Sequence, residues 1–345
     1  MTLQSDCSFG LKAESTYGTG VTVDRWHEFT EESITQDNEY IDSEGLRVGG
    51  IGVDLSRRTL GKVVAGGSES LEWVTRGLGT LLKAMLGSNT STLRSGSIYQ
   101  QVAVPALTDP MPCYTIQKGI PPVGGGTTLA HTFTGCVVNS WKLSCQAGEA
   151  LTADIDWIGR DMSTAVGYAA PSYVASPKTL AFPHLSLSIG VNGTHTFTPP
   201  IVTTLATTTA TAMTNVNAIE FTGANNVDDG GYNTGGAGKR SRIPVYGMRE
   251  FGGSLTAEFD SATLRDYYLN QSDLHMIATW TSDQDLVGGS TYAALQVAIP
   301  SLRLEGKVPS SNAGDVIEQE IDFTAGRNTS LSTMYVVSVT ADTAI

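Results

Sequence analysis

The sequence predicts a mainly β protein, tandemly duplicated, in which each half is a β-sandwich or half-barrel with one flanking helix. Three observations carry that reading. The chain has 345 residues, which suits two domains of about 170 residues each. Only 16% of its residues are charged, against roughly 25% in an ordinary soluble domain. Thr, Ser, Val, Ala and Gly fill the difference, a mixture that favours many short strands over long helices. Finally, similar segments recur in the same order in the two halves of the chain.

The recurrence runs as follows. Phe29-Thr30, Tyr40, Arg47, Arg58 and Leu60-Gly61 are answered by Phe221-Thr222, Tyr232, Arg240, Arg249 and Phe251-Gly252, at an offset near 192 (221 minus 29). Ser140 to Leu143 is answered by Ser301 to Leu304. Asp154-Ile155-Asp156-Trp157, with Gly159-Arg160 behind it, is answered by Glu320-Ile321-Asp322-Phe323 with Gly326-Arg327. The expected domains are 1–168 and 184–345, joined by a Pro/Ala/Ser-rich linker at 169–183.

Each half opens with a strand, at Phe9 to Glu14 and at Leu185 to Ile189, and a second strand ends at Phe29 or Phe221. A Gly/Asp/Asn-rich stretch follows in both, Glu31 to Leu60 and Gly223 to Phe251. Structureless loops of that length are rare in compact domains unless they serve a function. The spacing of Leu71, Val74, Leu78, Leu81, Leu82 and Met85 predicts a helix from Ser68 to Leu86, capped by Ser68 or Ser70 and closed by Gly87. A shorter helix, capped by Asp260 or Ser261, is predicted through Asn270, with Leu264, Tyr267 and Tyr268 inward. Alternating segments at Thr152 to Trp157 and Ile317 to Phe323 predict half-buried antiparallel strands. Thr203 to Thr214 reads as a surface loop or irregular strand.

Low charge also suits a subunit whose surface is covered by neighbours, since charged side chains are depleted from interface cores; a monomeric β protein with a Ser/Thr surface would look the same. The formal charge of −13 argues against gripping nucleic acid, which requires a basic face. It is compatible with a conduit through which DNA slides. Four cysteines without a CxxC or zinc-ligand spacing predict reduced thiols. The start of the chain lacks the features of a secretory signal, and no apolar stretch is long enough to span a membrane.

The opening Phe9-Gly10-Leu11-Lys12-Ala13-Glu14-Ser15-Thr16-Tyr17-Gly18-Thr19 has the form G-x-x-x-E-x-x-Y-G-T. Together with Phe29 to Ser33 and the loop to Arg47, the Gly61 segment, Leu81-Leu82 to Leu86-Gly87, Gly135 to Asn139 with Leu143, and Gly253 to Asp260, it resembles tail tube proteins of long-tailed bacteriophages, of the tandem-domain type. The resemblance covers most of the chain and carries no active-site signature. It implies a structural virion protein, located in the virion tail and assembled in the host cytoplasm. Inner sheets of neighbouring domains would join into a barrel, and rings would stack into a conduit for DNA ejection. Its implied partners are further copies of itself, a tape measure protein, tail terminator and distal tail proteins, and double-stranded DNA in transit without specific binding.

On that pattern the long stretches are inter-ring loops, and their candidate contact residues are Asp37, Glu39, Tyr40, Asp42, Glu44, Arg47, Tyr232, Lys239, Arg240 and Arg242. The basic Lys239, Arg240 and Arg242 are expected to pair with the acidic loop Asp37 to Glu44 of a neighbouring ring. Asp156, Glu318, Glu320 and Asp322 alternate with apolar residues and are candidates for an acidic lumen; facing ordinary solvent is the alternative. With two domains per chain, three chains would close a pseudo-hexameric ring. In the other arrangement, six chains form the ring and the second domain decorates it.

Enzyme chemistry finds no footing. His27, His131, His184, His195 and His275 show no HExxH or paired metal spacing, and no GxSxG is present. Pro121 to Thr128 is Gly-rich but lacks the Gly-Lys-Ser/Thr of a phosphate loop and reads as a hairpin tip. Asp37, Glu39, Asp42 and Glu44 lack the central Gly and final Glu of a calcium loop. No cofactor, metal or catalytic residue is expected. The competing class is a host-surface adhesin built from tandem β domains, or another virion structural protein.

Overall fold

The computed structural model of the chain describes residues 6–45, 47–50, 52–107, 111–306, 308–309, 316–327, 330–343 and 345. The first half contributes β1 (Ser8–Ala13), β2 (Arg25–His27), β3 (Phe29–Glu32), β4 (Thr35–Ile41), β5 (Thr59–Glu72), α1 (Gly79–Leu86), β6 (Gly87–Ser95), β7 (Ile98–Pro105), β8 (Tyr114–Ile120), β9 (Leu129–Gln146), β10 (Thr152–Gly159) and β11 (Asp161–Ser163). The second contributes β12 (Leu185–Val191), β13 (Phe197–Thr198), β14 (Thr207–Thr208), β15 (Ala212–Met213), β16 (Val216–Ala224), β17 (Glu250–Glu258), α2 (Thr263–Leu269), β18 (Leu274–Gly288), β19 (Thr291–Gly306), β20 (Glu318–Ala325) and β21 (Tyr335–Thr340).

All ladders between these strands are antiparallel. A front sheet of eight positions runs β3/β4, β5, β10, β9, β16, β17, β20, β19. Behind it lie two smaller sheets, β2-β1-β8-β9-β11 and β15-β12-β18-β19-β21. The same order of connections therefore appears twice. The long strands β9 and β19 serve both layers: β9 pairs with β8 through Cys136, and from Val137 onward with β10 and β16.

Period-two patterning drives this arrangement. On β10, Ala153, Ile155 and Trp157 are buried while Thr152, Asp154 and Asp156 point away. On β20, Ile321 and Phe323 are buried between Glu320, Asp322 and Thr324. The inward residues of front and back sheets meet in one core that runs through both halves. Tyr114 of β8 meets Trp157 edge-on at 5.9 Å, and Phe221 of β16 meets Trp280 of β18 at 6.3 Å. Trp141 and Phe251 approach at 6.3 Å across the two halves. A polar pair sits inside: His27 Nδ1 lies 2.6 Å from Glu69 Oε1, both side chains fully buried.

The pairing registers align the halves differently from the sequence comparison. A bulge between Phe29 and Glu31 faces Leu71 and Ser70, and a bulge between Val216 and Ala218 faces Ala257 and Thr256. Gly67 lies opposite Trp157 as Gly253 lies opposite Phe323. Ile34, and not Phe29, thus occupies the position of Phe221, at an offset of 187 (221 minus 34); both side chains are buried. The match of Asp154–Trp157 with Glu320–Phe323 does hold in the registers. Short motifs of Phe, Gly and Arg slide over one another because structurally equivalent positions such as Ile34 and Phe221 hold different residues; the stretch to the paired strand is nearly the same, 33 residues from Ile34 to Gly67 (67 minus 34) and 32 from Phe221 to Gly253 (253 minus 221).

Two further expectations are corrected. Ser68 to Glu72 is not helical but continues β5, paired with both β3 and β10. Glu69, Leu71 and Trp73 are buried in strand alternation, and Leu71, Val74 and Leu78 mimic a helical stripe only because the strand leads straight into the loop before α1. The helix is Gly79–Leu86, closed by Gly87 in the left-handed conformation as expected. The stretch Glu31 to Leu60 is not structureless: it holds part of β3, all of β4 and the start of β5, so its base is a hairpin. The second helix is present at Thr263–Leu269 with Leu264 buried and Tyr267 and Tyr268 half-buried against the core, but its N-cap is Ala262 without a side-chain cap, and not Asp260 or Ser261; Ile120 and Leu129 bracket a hairpin tip at the Gly-rich segment.

Gly253 is the tightest point in the front sheet, where a Cβ would stand 1.9 Å from the carbonyl oxygen of Glu220. The Gly253→Ala variant is expected to lose about 3 kcal/mol of stability by overpacking, read as a lowered midpoint in denaturant unfolding.

Candidate assembly surfaces

The open face of the front sheet is acidic. Asp154 and Asp156 on β10, Glu220 on β16, Glu258 on β17, Glu305 on β19, Glu318, Glu320 and Asp322 on β20 and Glu72 on β5 all point away from the core. Against these nine carboxylates the same face sets Lys142 and Arg303. Cross-strand contacts confirm that they share a face. Lys142 Nζ stands 3.6 Å from both Asp154 and Glu220, and Ser70 Oγ donates to Asp154 at 2.6 Å. Asp156 accepts from Asn139 at 3.0 Å, and Glu318 from Asn217 at 2.6 Å. Asp156, Glu318, Glu320 and Asp322, identified from alternation, therefore belong to one surface. The remaining side chains there are mostly Ser, Thr and Ala, and no large aromatic projects from it. A cleft of about 520 Å³ opens on this face where the halves meet, over Gly223, Gly252 and Gly253.

At the junction the halves fuse edge to edge. Ala218 to Ala224 of β16 pairs with Gln146 to Ser140 of β9. The two ends of the front sheet are left as edges: β3/β4 at one end, and the Leu302–Gly306 end of β19 at the other, which pairs with β20 on one side only beyond Leu302. They are the counterparts of the strands that meet at the junction, since β3 corresponds to β16 and β19 to β9.

The inter-ring candidates divide into two groups. Asp37, Glu39 and Tyr40 lie on β4, and Asp42, Glu44 and Arg47 on the exposed tip beyond it. This hairpin arm closes its own charges: Arg58 grips Asp42 in a bidentate pair at 2.7 and 3.0 Å, and Arg57 reaches Asp54 at 3.4 Å. The Arg58 guanidinium holds the Asp42 carboxyl below the usual carboxylate range.

Tyr232, Lys239, Arg240 and Arg242 are placed elsewhere, in a segment packed sideways onto the first half. Val63 N donates to Gly238 O at 2.8 Å, and Tyr232 Oη donates to Val63 O at 3.2 Å. Arg240 is buried, donating to Gly159 O at 2.6 Å and Asp229 O at 2.9 Å while its guanidinium stacks 5.1 Å over Tyr232. Lys239 pairs with Asp161 and Arg242 with Asp228. All three cations of the basic cluster, expected to pair with an acidic loop of another ring, have partners in their own chain. An Lys-Arg-Ser-Arg run looks like a surface patch because sequence does not show which carbonyls and carboxylates converge on it.

A clasp absent from the sequence reading binds the halves at the back. The β6–β7 hairpin of the first half extends the second half's sheet, Val336 to Thr340 of β21 pairing with Ala103 to Tyr99 of β7. Beside it Arg76 Nε and Nη2 donate to Asp285 at 3.0 and 2.5 Å, Thr75 Oγ1 adds a bond of 2.6 Å, and Gly77 N donates to Asp342 at 2.6 Å. Burial alone would raise the Asp285 carboxyl. The hydrogen bonds from Arg76 and Thr75 outweigh it, and the group titrates below the usual range. Among the described residues no group of three His, Cys, Asp or Glu is arranged to hold a metal ion, and no helix is long and apolar enough to cross a membrane.

Two outcomes follow from this geometry. Arg240→Ala should leave the sheets intact by circular dichroism but cost about 2 kcal/mol, by orphaning buried carbonyls, and should speed proteolytic cleavage between residues 225 and 249. Asp285→Ala should cost about 3 kcal/mol, because it leaves Arg76 and Thr75 without their acceptor. The native Asp285 value lies below the unfolded value of about 3.9. Its stabilisation is therefore full above that pH and lost as pH falls through the lower native value, and acid titration of the unfolding midpoint should show this loss in the parent and not in the variant.

No curated protein matches the chain. A family model described as phage tail tube protein matches residues 4–325. That match spans the front sheet in both halves and ends at the last residue of β20, before β21, and the β-rich fold agrees with it. The chain belongs to the phage tail tube protein family: it is a structural component of the virion tail that assembles with itself and with other tail proteins.

Proposed function

We propose that the chain polymerises as stacked rings into a tube whose bore conducts DNA during ejection, and that three chains close each ring. The observation that carries this reading is the β9–β16 junction. Inside one chain, two copies of the same layered unit already share a continuous front sheet, joined by the edges that remain unpaired at its two ends. Repeating that junction between chains pairs β19 of one with β3/β4 of the next. Exposed edges of this length invite uncontrolled pairing, and closure into a barrel removes them. Eight strand positions per chain and three chains give a barrel of twenty-four. On this reading the domains are 1–168 and 184–345, with 169–183 running along the first half's outside.

The acidic front face lines the bore. Carboxylates repel DNA phosphates, so duplex passes without sticking. The fused core and the clasp weigh against six-chain rings with the second half as decoration, because the second half shares the front sheet fully. Assembly in the host cytoplasm fits four free thiols. A tape measure protein, a terminator and distal tail proteins are the natural partners of such a tube, and no step of the reading requires catalysis.

Concentrated protein viewed by negative-stain microscopy, with native mass spectrometry of the smallest closed species, tests the reading. Hollow rings or tubes with a repeating mass of three chains are expected. Monomers at all concentrations would favour an adhesin instead.

A further inference from the structure

The two halves close one rim of the front sheet differently. In the first half the segment that follows β11 returns as a strap just past the end of β5 and the start of β10. Thr75 N donates to Lys178 O at 2.9 Å and Leu180 N to Trp73 O at 3.0 Å. Leu151 N donates to Leu180 O at 2.8 Å, and Phe182 N to Glu149 O at 3.0 Å. The strap is a short extended strand held on both sides by backbone bonds. Trp73, Leu151 and Leu180 are fully buried around it.

The registers locate the same place in the second half. Glu258 faces Glu318 as Glu72 faces Thr152, so Phe259 stands for Trp73 and Ile317 for Leu151. The equivalence extends to the next bond, Phe259 N donating to Ile317 O at 2.9 Å and Trp73 N to Leu151 O at 2.7 Å. The strap, however, has no counterpart among the described residues. None of them donates to Phe259 O or accepts from Ile317 N, although backbone groups of this kind are ordinarily paired. Ile317 is 39% exposed and Val316 70% exposed. The chain beyond β21 leads elsewhere, with Asp342 accepting from Gly77 N of the first half.

A cavity of about 300 Å³ opens beside Phe259, lined also by Ile189, Leu264, Tyr267 and Gln319. Gln319 is only 3% exposed, yet its Nε2 has no hydrogen-bond partner. Buried donors without one are rare in native proteins and call for a reason. The counterpart of Gln319 in the first half is Ala153, which leaves no such donor there.

We infer that this rim of the second half is a docking slot for an extended segment of another tail protein. The segment adds beside Phe259 and Ile317 as a short strand, placing one aliphatic side chain in the cavity and a cation at its mouth. The first half shows what fits: the strap gives an N–H to Trp73 O, a carbonyl to Leu151 N and the side chain of Leu180, with Lys178 two residues before it. Charge specifies the cation, because Glu258, Asp260 and Glu318 are exposed around the slot and no Lys or Arg lines the cavity. The strap of a second copy is not available for this role, since Lys178 to Phe182 is engaged in its own first half. The slot is complete within one chain, so binding requires neither rings nor tubes.

The probe is a fluorescent peptide with the strap's own sequence, Ser176 to His184, added to the full chain and followed by anisotropy. Binding should saturate at one peptide per chain. N-methylation of the peptide's Leu amide removes the donor for Phe259 O and should weaken binding about tenfold. Replacing the peptide's Lys by Glu should weaken it by a similar factor at low salt. Ile317→Pro in the protein removes the donor on the other side of the slot and should do the same. A photoreactive leucine at the position of Leu180 should attach within residues 258–267 or 316–319, as read by mass spectrometry. No saturable binding up to about 1 mM, equal affinity of the N-methyl peptide, or attachment at Trp73 to Thr75 would overturn the inference. A photoreactive benzoylphenylalanine at position 316 that links two copies of the chain, with no peptide present, would put a second copy in the slot and overturn the assignment to another tail protein.

Discussion

Backbone hydrogen bonding at the edges of the front sheet is the constraint on which the rest depends. A strand of β9's length can hold β8 and β11 in the back layer and β10 in the front only by carrying its second part beyond the back sheet. That part, from Ser140 to Gln146, then presents a full row of donors and acceptors, and β16 satisfies it. Everything specific to the chain serves that pairing. Gly223 lets the backbone lie against the Trp141 indole, where a Cβ would come within 2.3 Å of the ring. Asn225, fully buried, donates to Met85 O and Val138 O and ties the end of β16 to α1. The β6–β7 clasp holds the same two halves from behind.

The distribution of charge follows from the same geometry. Carboxylates are concentrated where a strand has one wet face, and several of the chain's cations are spent on internal positioning. Arg240, Arg76 and Lys239 each fasten one segment to another. A chain can thus be strongly acidic without being unstable, because its basic residues work at partly buried sites, where a charge-assisted bond is stronger than at the surface.

Much of this was legible in the sequence, and the failures have physical causes. Alternation on β10 and β20 was strong enough to identify both the strands and the exposed carboxylates Asp156, Glu318, Glu320 and Asp322 on one face. The tandem organisation showed through as ordered similarities, but their residue-level register was wrong by five on the strand carrying Ile34, because the equivalent positions Ile34 and Phe221 hold different residues while Phe29, five positions earlier, offers a spurious identity. The stretch from Ser68 to Leu86 defeated periodicity, since a strand with residues buried at Glu69, Leu71 and Trp73 followed by a short helix produces the same spacing as one long helix. Glu69 gave no signal at all: a carboxylate in a strand's apolar row reads as solvent-facing until its partner His27, forty-two positions away, is brought to 2.6 Å. The burial of Arg240 gave no signal for the same reason.

Cryo-electron microscopy of the assembled particle at a resolution that traces strands tests the central claim most directly, because the claim concerns which edges meet. The account predicts three chains per ring, with the Leu302–Gly306 end of β19 antiparallel to β3/β4 of the next chain and Asp156, Glu320 and Asp322 facing the bore. A barrel closed by six first halves, with β16 to β20 outside it, would contradict the account, as would edges that remain unpaired in the ring.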